Sequence, residues 1–329
     1  MSEELKEIAF TLMGWVLTPT GLVLALIVWV LWRRAAAWRL RWRVVGRAAA
    51  SLLALITVVC LVGGSIGLWV RYRPQPSTLE RTLFPGATYR RFSRQAPRPI
   101  AVHVVTVDLT TPGLELVPTA GTTGACLPAT TTSNFLAEQR VQLAINTQFF
   151  FVCPGQPNPE ELTPGQLQHP VGRYAVDGEV VVGNRWKGNT LFISPEGEVS
   201  LFEQPDALHH AISGRHRLVV EGRAAALESG GLAPRLALGF DEARERMTIV
   251  LVDGRQRGFS EGLTLPELAD LMIELGVYDA IEYDGGGSAT LVAEDEHGEP
   301  EVLNSPIHTR IPGRERPVAN HLGIRAPRG

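Results

Sequence analysis

Two stretches without a single charged residue, Ile8 to Trp32 and Ala48 to Val70, set the strongest limit on what this chain can become. Each exceeds the roughly 20 residues that cross a hydrocarbon core, so two transmembrane helices, at about 8–32 and 48–70, are expected. Pro19 falls inside the first run, where a membrane helix tolerates a kink. Trp15, Trp29, Trp32 and Trp69 stand where interfacial aromatic anchors belong. A cleaved signal peptide fits less well, because the runs are too long for its apolar region and Glu3, Glu4 and Glu7 precede the first against Lys6 alone. Between the runs lie Arg33, Arg34, Arg39, Arg41, Arg43 and Arg47 with no acidic residue, a loop that the positive-inside rule places in the cytoplasm. Residues 1–73 therefore read as a transmembrane hairpin with both termini outside the cytoplasm, carrying an extracytoplasmic domain on a multi-pass membrane protein.

The remaining chain is acidic. Residues 1–73 hold nine of the 31 Lys and Arg and three of the 34 Asp and Glu, which leaves 31 − 9 = 22 basic and 34 − 3 = 31 acidic residues, a net charge of −9. Nucleic acid is thereby excluded as the main partner, since it requires a concentrated basic footprint. Of the three cysteines, Cys60 lies in the second apolar run, while Cys126 and Cys153 lie in the outer part. In an oxidising compartment the latter two can form a disulfide; two free buried thiols are the alternative.

Residues 74–99, rich in Pro, Arg and Ser and without a sustained apolar period, are expected to be a linker. Residues 100–329 are expected to be one α/β (mixed α+β) domain with a mixed sheet. Strands are expected at Ala101 to Asp108, Leu114 to Pro118, Val141 to Ile145, Arg173 to Val182, Thr190 to Ser194, Arg217 to Glu221, Arg235 to Phe240 and Met247 to Val252. Turn signals at Asp177-Gly178 and Glu196-Gly197 favour hairpins. Helices are expected at Thr131 to Arg140 and, with a Thr264/Glu267 capping box and an apolar stripe ending before Gly276, at Thr264 to Leu275.

The chemistry concentrates in Val250 to Leu291, which reads strand, polar loop, helix, strand, then Asp284-Gly285-Gly286-Gly287-Ser288. Three glycines after an apolar strand are entropically costly. Their backbone can approach a ligand closely and form an anion-binding nest, or the run can be a tight turn in which Asp284 caps its own backbone. A phosphate suits the first option: Ser288 adds a hydroxyl, Arg255 a bidentate fork, and Asp284 with Glu282 the carboxylates that sugar transfer needs.

Several ordered strings resemble the phosphodiester glycosidase family. They are Asp253-Gly254-Arg255-Gln256, Gly258-Phe259-Ser260-Glu261-Gly262, Tyr278-Asp279-Ala280-Ile281 and Asp284 to Thr290, with Ala144-Ile145-Asn146, Phe149-Phe150, Ala211 to Gly214, Pro234-Arg235 and Glu315 to Asn320 outside that core. The resemblance spans about residues 100–325. It implies a mixed α/β fold and hydrolysis of the sugar-to-phosphate glycosidic bond of a sugar-1-phosphodiester, in cell-surface or extracellular glycans such as exopolysaccharide. It also implies that Asn146, Arg235, Asp253, Arg255, Ser260, Asp284 and the glycine loop lie near the site. The expected catalytic carboxylates are Asp284 first, then Glu282 and Asp253; Asn146, Arg235, Arg255, Ser260, Gly285, Gly286, Gly287 and Ser288 are expected to bind substrate. Two departures stand out: Asn146-Thr147-Gln148 where the family often has Asn-Gly-Gly, and Glu282-Tyr283-Asp284 where it often has Asn-Leu-Asp.

Two other classes compete. Gly258 to Gly262 also matches a G-x-S-x-G nucleophile elbow, with His308 or His321 following Asp284 in hydrolase order; yet Ser260 sits seven residues past Asp253 rather than directly at a strand-to-helix turn. A non-catalytic phosphoglycan-binding or polysaccharide-export module would keep the phosphate nest without turnover. No cofactor and no metal site are expected. His209, His210 and His216 read as solvated loop residues, because neighbours in a strand point to opposite faces, and a Ca2+ ion held by Asp and backbone oxygens would need no fixed spacing.

Overall fold

The computed structural model describes residues 20–30, 40–121, 124–156, 162–183 and 189–327. The chain divides into two compact units, Met1–Pro74 and Gln75–Gly329.

In the first unit, helix α1 (Thr20–Val30) is short and apolar, and α2 runs over Leu40–Tyr72. The 28 residues Val45–Tyr72 are long and apolar enough to cross a membrane; at 1.5 Å per residue they exceed a hydrocarbon core of roughly 30 Å. Gly21 of α1 lies against Leu61 of α2. The expected first span, 8–32, falls largely outside the described residues, as do residues 33–39 of the arginine loop, while Arg41, Arg43 and Arg47 lie within α2. Among the described residues one helix, not two, has the length and composition of a span.

The second unit is a mixed α/β fold built from four sheets. An eight-stranded sheet has the order β1 (Leu79–Phe84), β2 (Ala87–Arg94), β3 (Ile100–Asp108), β17 (Arg246–Val252), β16 (Arg235–Phe240), β18 (Asp279–Tyr283), β14 (Arg217–Val220), β15 (Arg223–Ala224). A five-stranded sheet follows the order β10 (Glu179–Val182), β9 (Tyr174–Val176), β13 (His210–Ser213), β11 (Thr190–Ile193), β12 (Val199–Leu201). A second runs β20 (Pro300–Val302), β19 (Leu291–Glu294), β6 (Leu143–Asn146), β21 (His321–Arg325), β4 (Glu115–Pro118). The smallest is β5 (Leu127–Pro128), β8 (Leu167–Pro170), β7 (Phe150–Val152).

Every ladder between these strands is antiparallel, which corrects the expected mixed sheet. The expected strand–loop–helix–strand stretch is present, and β16 lies between its two strands, β17 and β18, pairing antiparallel with each. Residues 79–94, expected as linker, form β1 and β2. Their period-2 pattern is masked because arginines stand on both faces: Ala87 and Tyr89 turn inward and are 1 % exposed, yet Arg81 and Arg91 share their side of the sheet.

The large sheet is buried on both faces, so its central strands are nearly all apolar. On β17, Met247, Ile249 and Leu251 join one core with β6, β11, β13, β19 and β21, while Val250 and Val252 join another beneath helix α4 (Leu265–Glu274). Leu265, Leu268, Ala269, Leu271 and Met272 of α4 supply that second core. The expected capping box is present, Thr264 accepting from the Glu267 N–H and Glu267 bonding back. Helix α3 (Thr132–Gln139) starts at its Thr131 cap.

Cys126 and Cys153 form a disulfide over a sequence separation of 27. It joins the segments beside β5 and β7 across β8, tying down the loop that carries residues 146–151. A closed loop of that length constrains the unfolded chain by about 3 kcal/mol. Replacing both cysteines with serine is expected to lower unfolding free energy by that order in denaturant titration; an unchanged midpoint would deny the bond a stabilising role.

Candidate active site

The topology brings three strand ends to one edge of the large sheet. β17 and β18 both finish there and β16 begins there, with Arg235 opposite Val252 and Leu236 opposite Tyr283. Asp253, Asp284 and Arg235, distant in sequence, therefore become neighbours. Strand alternation puts Arg235, Ala237, Ala280 and Glu282 on the α4 face. Beneath the start of α4 and the loop 226–233, that face opens into a cavity of about 640 Å³.

Glu282 sits on the cavity wall yet is only 1 % exposed, and its charge is engaged on both oxygens. Arg235 Nη1 donates to Oε1 at 2.7 Å, and His216 Nδ1 lies 2.6 Å from Oε2. Arg235 also donates from Nε to the Leu263 carbonyl and from Nη2 to the Gly231 carbonyl, both at 2.9 Å. Its guanidinium is thus occupied with holding the cavity rim. The carboxylate that departs from the family pattern is compensated by a cation and a histidine.

Asp284 is also on the wall. Burial pushes its carboxyl up to about 7, against the opposing pull of the Ser288 hydroxyl and the Arg316 and Arg255 cations. Ser288 in turn accepts from Arg316 Nη1 at 3.2 Å. Arg316 lies over the Phe150 ring at 5.0 Å, and its buried Nε has no hydrogen-bond partner. Arg255 has a positive φ of 57°, and its guanidinium makes no hydrogen bond or ion pair among the described residues. It rests against Gly286, where a Cβ would lie 3.3 Å from Nη1 and Nη2. Burial weakens the hold of both guanidinium groups on their protons, and Asp284 works the other way. Two desolvated cations beside one buried acid leave positive charge that an anion would balance.

The glycine run has a second function besides approach to a ligand. A Cβ on Gly285 would stand 2.5 Å from the Pro234 carbonyl oxygen, so the loop and β16 can meet only with glycine there. The Gly286 N–H donates to that same oxygen at 2.9 Å. The expected three-amide nest is therefore incomplete.

Other expected site residues lie behind the wall. Asn146 is 1 % exposed; its Nδ2 donates to the Asp284 carbonyl at 2.7 Å and its Oδ1 accepts from the Thr290 N–H at 2.9 Å, clamping both ends of the glycine run. Thr147 and Gln148, the other departure, are likewise built in: the Thr147 carbonyl accepts from the Asp284 N–H, and Gln148 and Asn320 bond reciprocally. Asp253 is buried among His103 at 3.1 Å, Asn304 at 3.1 Å and the Ser305 N–H at 2.9 Å, with Tyr89 on the far side of His103. It does not line the cavity.

Ser260 is fully buried, donating to the Asp253 carbonyl at 2.5 Å and accepting from the Ala101 N–H at 3.0 Å. Both of its hydrogen-bonding roles are structural, which leaves no nucleophile. Ser260→Ala is expected to lower stability by about 1–3 kcal/mol through the unpaired groups it leaves, with no labelling of the wild type by a fluorophosphonate. Labelling at Ser260 would reverse this assignment.

Arg215, His216 and Arg316 also line the cavity but were not among the expected site residues. His216 acts through Glu282 rather than with the other histidines. His209 and His210 do come together with Asp177, one ligand atom of each within 4.8 Å of the others, because His209 precedes β13 and its ring lies 3.9 Å from that of His210. That cluster lies away from the cavity lining.

The cavity thus has four arginines against three carboxyl groups in its lining, at the end of an antiparallel sheet. The sequence profile of the phosphodiester glycosidase family matches residues 139–325, and the chain belongs to that family. Among solved structures, the catalytic domain of zebrafish N-acetylglucosamine-1-phosphodiester α-N-acetylglucosaminidase, auto-inhibited by pro-peptide, is similar with a TM-score of 0.55 and 18 % identity, covering 78 % of this chain and 86 % of that one. A hypothetical protein from Synechocystis gives a TM-score of 0.53 and 14 % identity, covering 76 % of this chain. The alignment spans 64 % of that longer protein. At these identities the likeness is one of fold. No curated protein matches the sequence significantly.

Proposed function

We propose that this chain is a membrane-anchored, extracytoplasmic hydrolase that cleaves the bond between an anomeric carbon and a phosphodiester oxygen in a surface or extracellular glycan. The observation that carries this is the pair Arg255 and Arg316, desolvated and facing a buried Asp284 whose carboxyl is raised to about 7.

In this scheme Arg255 and Arg316 hold the phosphodiester anion and stabilise the charge that grows as it departs. A phosphodiester is a good leaving group, so it leaves without a proton donor. Asp284 is the general base: it takes a proton from water as the water oxygen bonds to the anomeric carbon and the C–O bond breaks, giving free sugar and a phosphomonoester. A carboxyl raised to neutrality suits proton transfer better than permanent ionisation as a nucleophile, so the anomeric configuration should invert. Glu282, with Arg235 and His216, shapes the sugar side, while Asn146, Asp253, Ser260 and Ser288 position the loop. The residues supply these steps without a cofactor. Anchoring rests on Val45–Tyr72, joined to the apolar run before it as a hairpin with outward termini.

The test is hydrolysis of a panel of sugar-1-phosphodiesters by the full chain in detergent, with and without chelator. Free sugar of inverted configuration plus phosphomonoester supports the scheme. Sugar phosphate would make the protein a phosphodiesterase, and tight binding without turnover would make it a glycan-binding module.

A further inference from the structure

A second, smaller pocket of about 240 Å³ opens beside the main cavity, and the two share Phe149 and Arg215. Its other lining residues are Phe150, Phe151, Val171 and Gly214, so Arg215 is the one polar side chain on its described wall. Arg215 lies over the Phe149 ring at 5.1 Å, at the junction of the two spaces. Phe151 is 68 % exposed on β7, at the edge of the smallest sheet. The disulfide fixes Cys153 two residues further on, so this aromatic surface is held in place before any ligand arrives.

Sugar hydroxyls need hydrogen-bond partners, and this pocket offers no hydroxyl, amide or carboxylate side chain to supply them. It does offer aromatic faces that lose water when an apolar group covers them. Arg316, one of the two arginines assigned above to the phosphodiester, lies over the ring of Phe150, part of this pocket's wall, at 5.0 Å. We propose that this pocket binds the aglycone, and that the substrate is therefore a sugar phosphodiester of an apolar alcohol, aryl or prenyl in character, rather than of a second sugar. The assignment of the pocket to an aglycone rests on the glycosidase scheme above; its preference for apolar groups does not.

Binding of benzyl phosphate and methyl phosphate to the full chain in detergent, measured calorimetrically, tests the pocket directly. Benzyl phosphate should bind at least about ten-fold more tightly. Val171→Phe, which fills the pocket, and Phe151→Ala, which strips its wall, should each bring the two ligands to near parity while leaving methyl phosphate unchanged. Parity in the wild type, or a benzyl advantage that survives Val171→Phe, overturns the proposal. In parallel, kcat/KM is compared for benzyl and methyl esters of one sugar-1-phosphate. Equal turnover of both esters overturns the aglycone assignment while the glycosidase scheme stands. A benzyl binding advantage with neither ester hydrolysed sustains the apolar pocket and sinks the glycosidase scheme.

Discussion

Asp284→Asn is expected to lower kcat by about 10³-fold, the scale of a lost general base, while leaving phosphomonoester binding intact or tighter. In the wild type, the carboxyl raised to about 7 must be ionised to act, so kcat should rise with pH through that value and then level. The same variant should be more stable than the wild type at alkaline pH. The sign follows from linkage: the folded-state value is raised from 3.8 to about 7, so folding takes up a proton across that window and stability falls as pH climbs through it. Above pH 7 the wild type carries the full cost of a buried carboxylate, ~4 kcal/mol at most, and asparagine removes it. Below pH 3.8 the two proteins should converge. Thermal unfolding at pH 4 and pH 8 checks this, and equal melting temperatures at both would mean that Asp284 is well solvated and no site acid.

Arg316→Ala and Arg255→Ala are each expected to lower kcat/KM by about 10²–10³-fold, as for a lost donor to developing negative charge, and the double variant by less than the product because both act on one anion. A purely structural role would also reduce activity, so the discriminating readout is the pH profile. Both cations draw the Asp284 carboxyl down against burial, Arg316 more than Arg255. Removing Arg316 should therefore move the midpoint of the kcat profile to higher pH, with a smaller shift for Arg255. A profile that stays in place in both variants would separate the arginines from the acid and dismantle the proposed site.

What could be read from the sequence was what is local. The α4 capping box, the hairpin at Asp177-Gly178 and the strand–loop–helix–strand run from Val250 to Asp284 are contiguous patterns, and they stand where expected. The contributions hidden from the sequence come from pairings at a distance. Arg316 lies 28 residues beyond Ser288 and meets it only because the chain folds back, and His216 meets Glu282 only because β14 pairs with β18. Asn146, Asp253 and Ser260 were expected at the site through family likeness and lie outside the cavity lining, because whether such a residue faces the cavity or holds its wall depends on which hydrogen bonds are already occupied. Period-2 reading failed at β2 because the consecutive Arg90 and Arg91 put a cation on each face and break the apolar alternation, which looks like a solvated linker until β3 is placed beside them.

The order of strands in the second five-stranded sheet bears on when the protein can first act. β21, which follows every other described strand along the chain, inserts between β6 and β4 rather than adding to an edge. Until it arrives, β6, whose final residue is the Asn146 that clamps the glycine run, lacks one neighbour, and Arg316 just upstream has not been delivered. A chain cut before Arg316 would thus leave the facing edges of β6 and β4 bare and lack the guanidinium that bonds Ser288, so both the sheet and the cavity wall wait on one late segment.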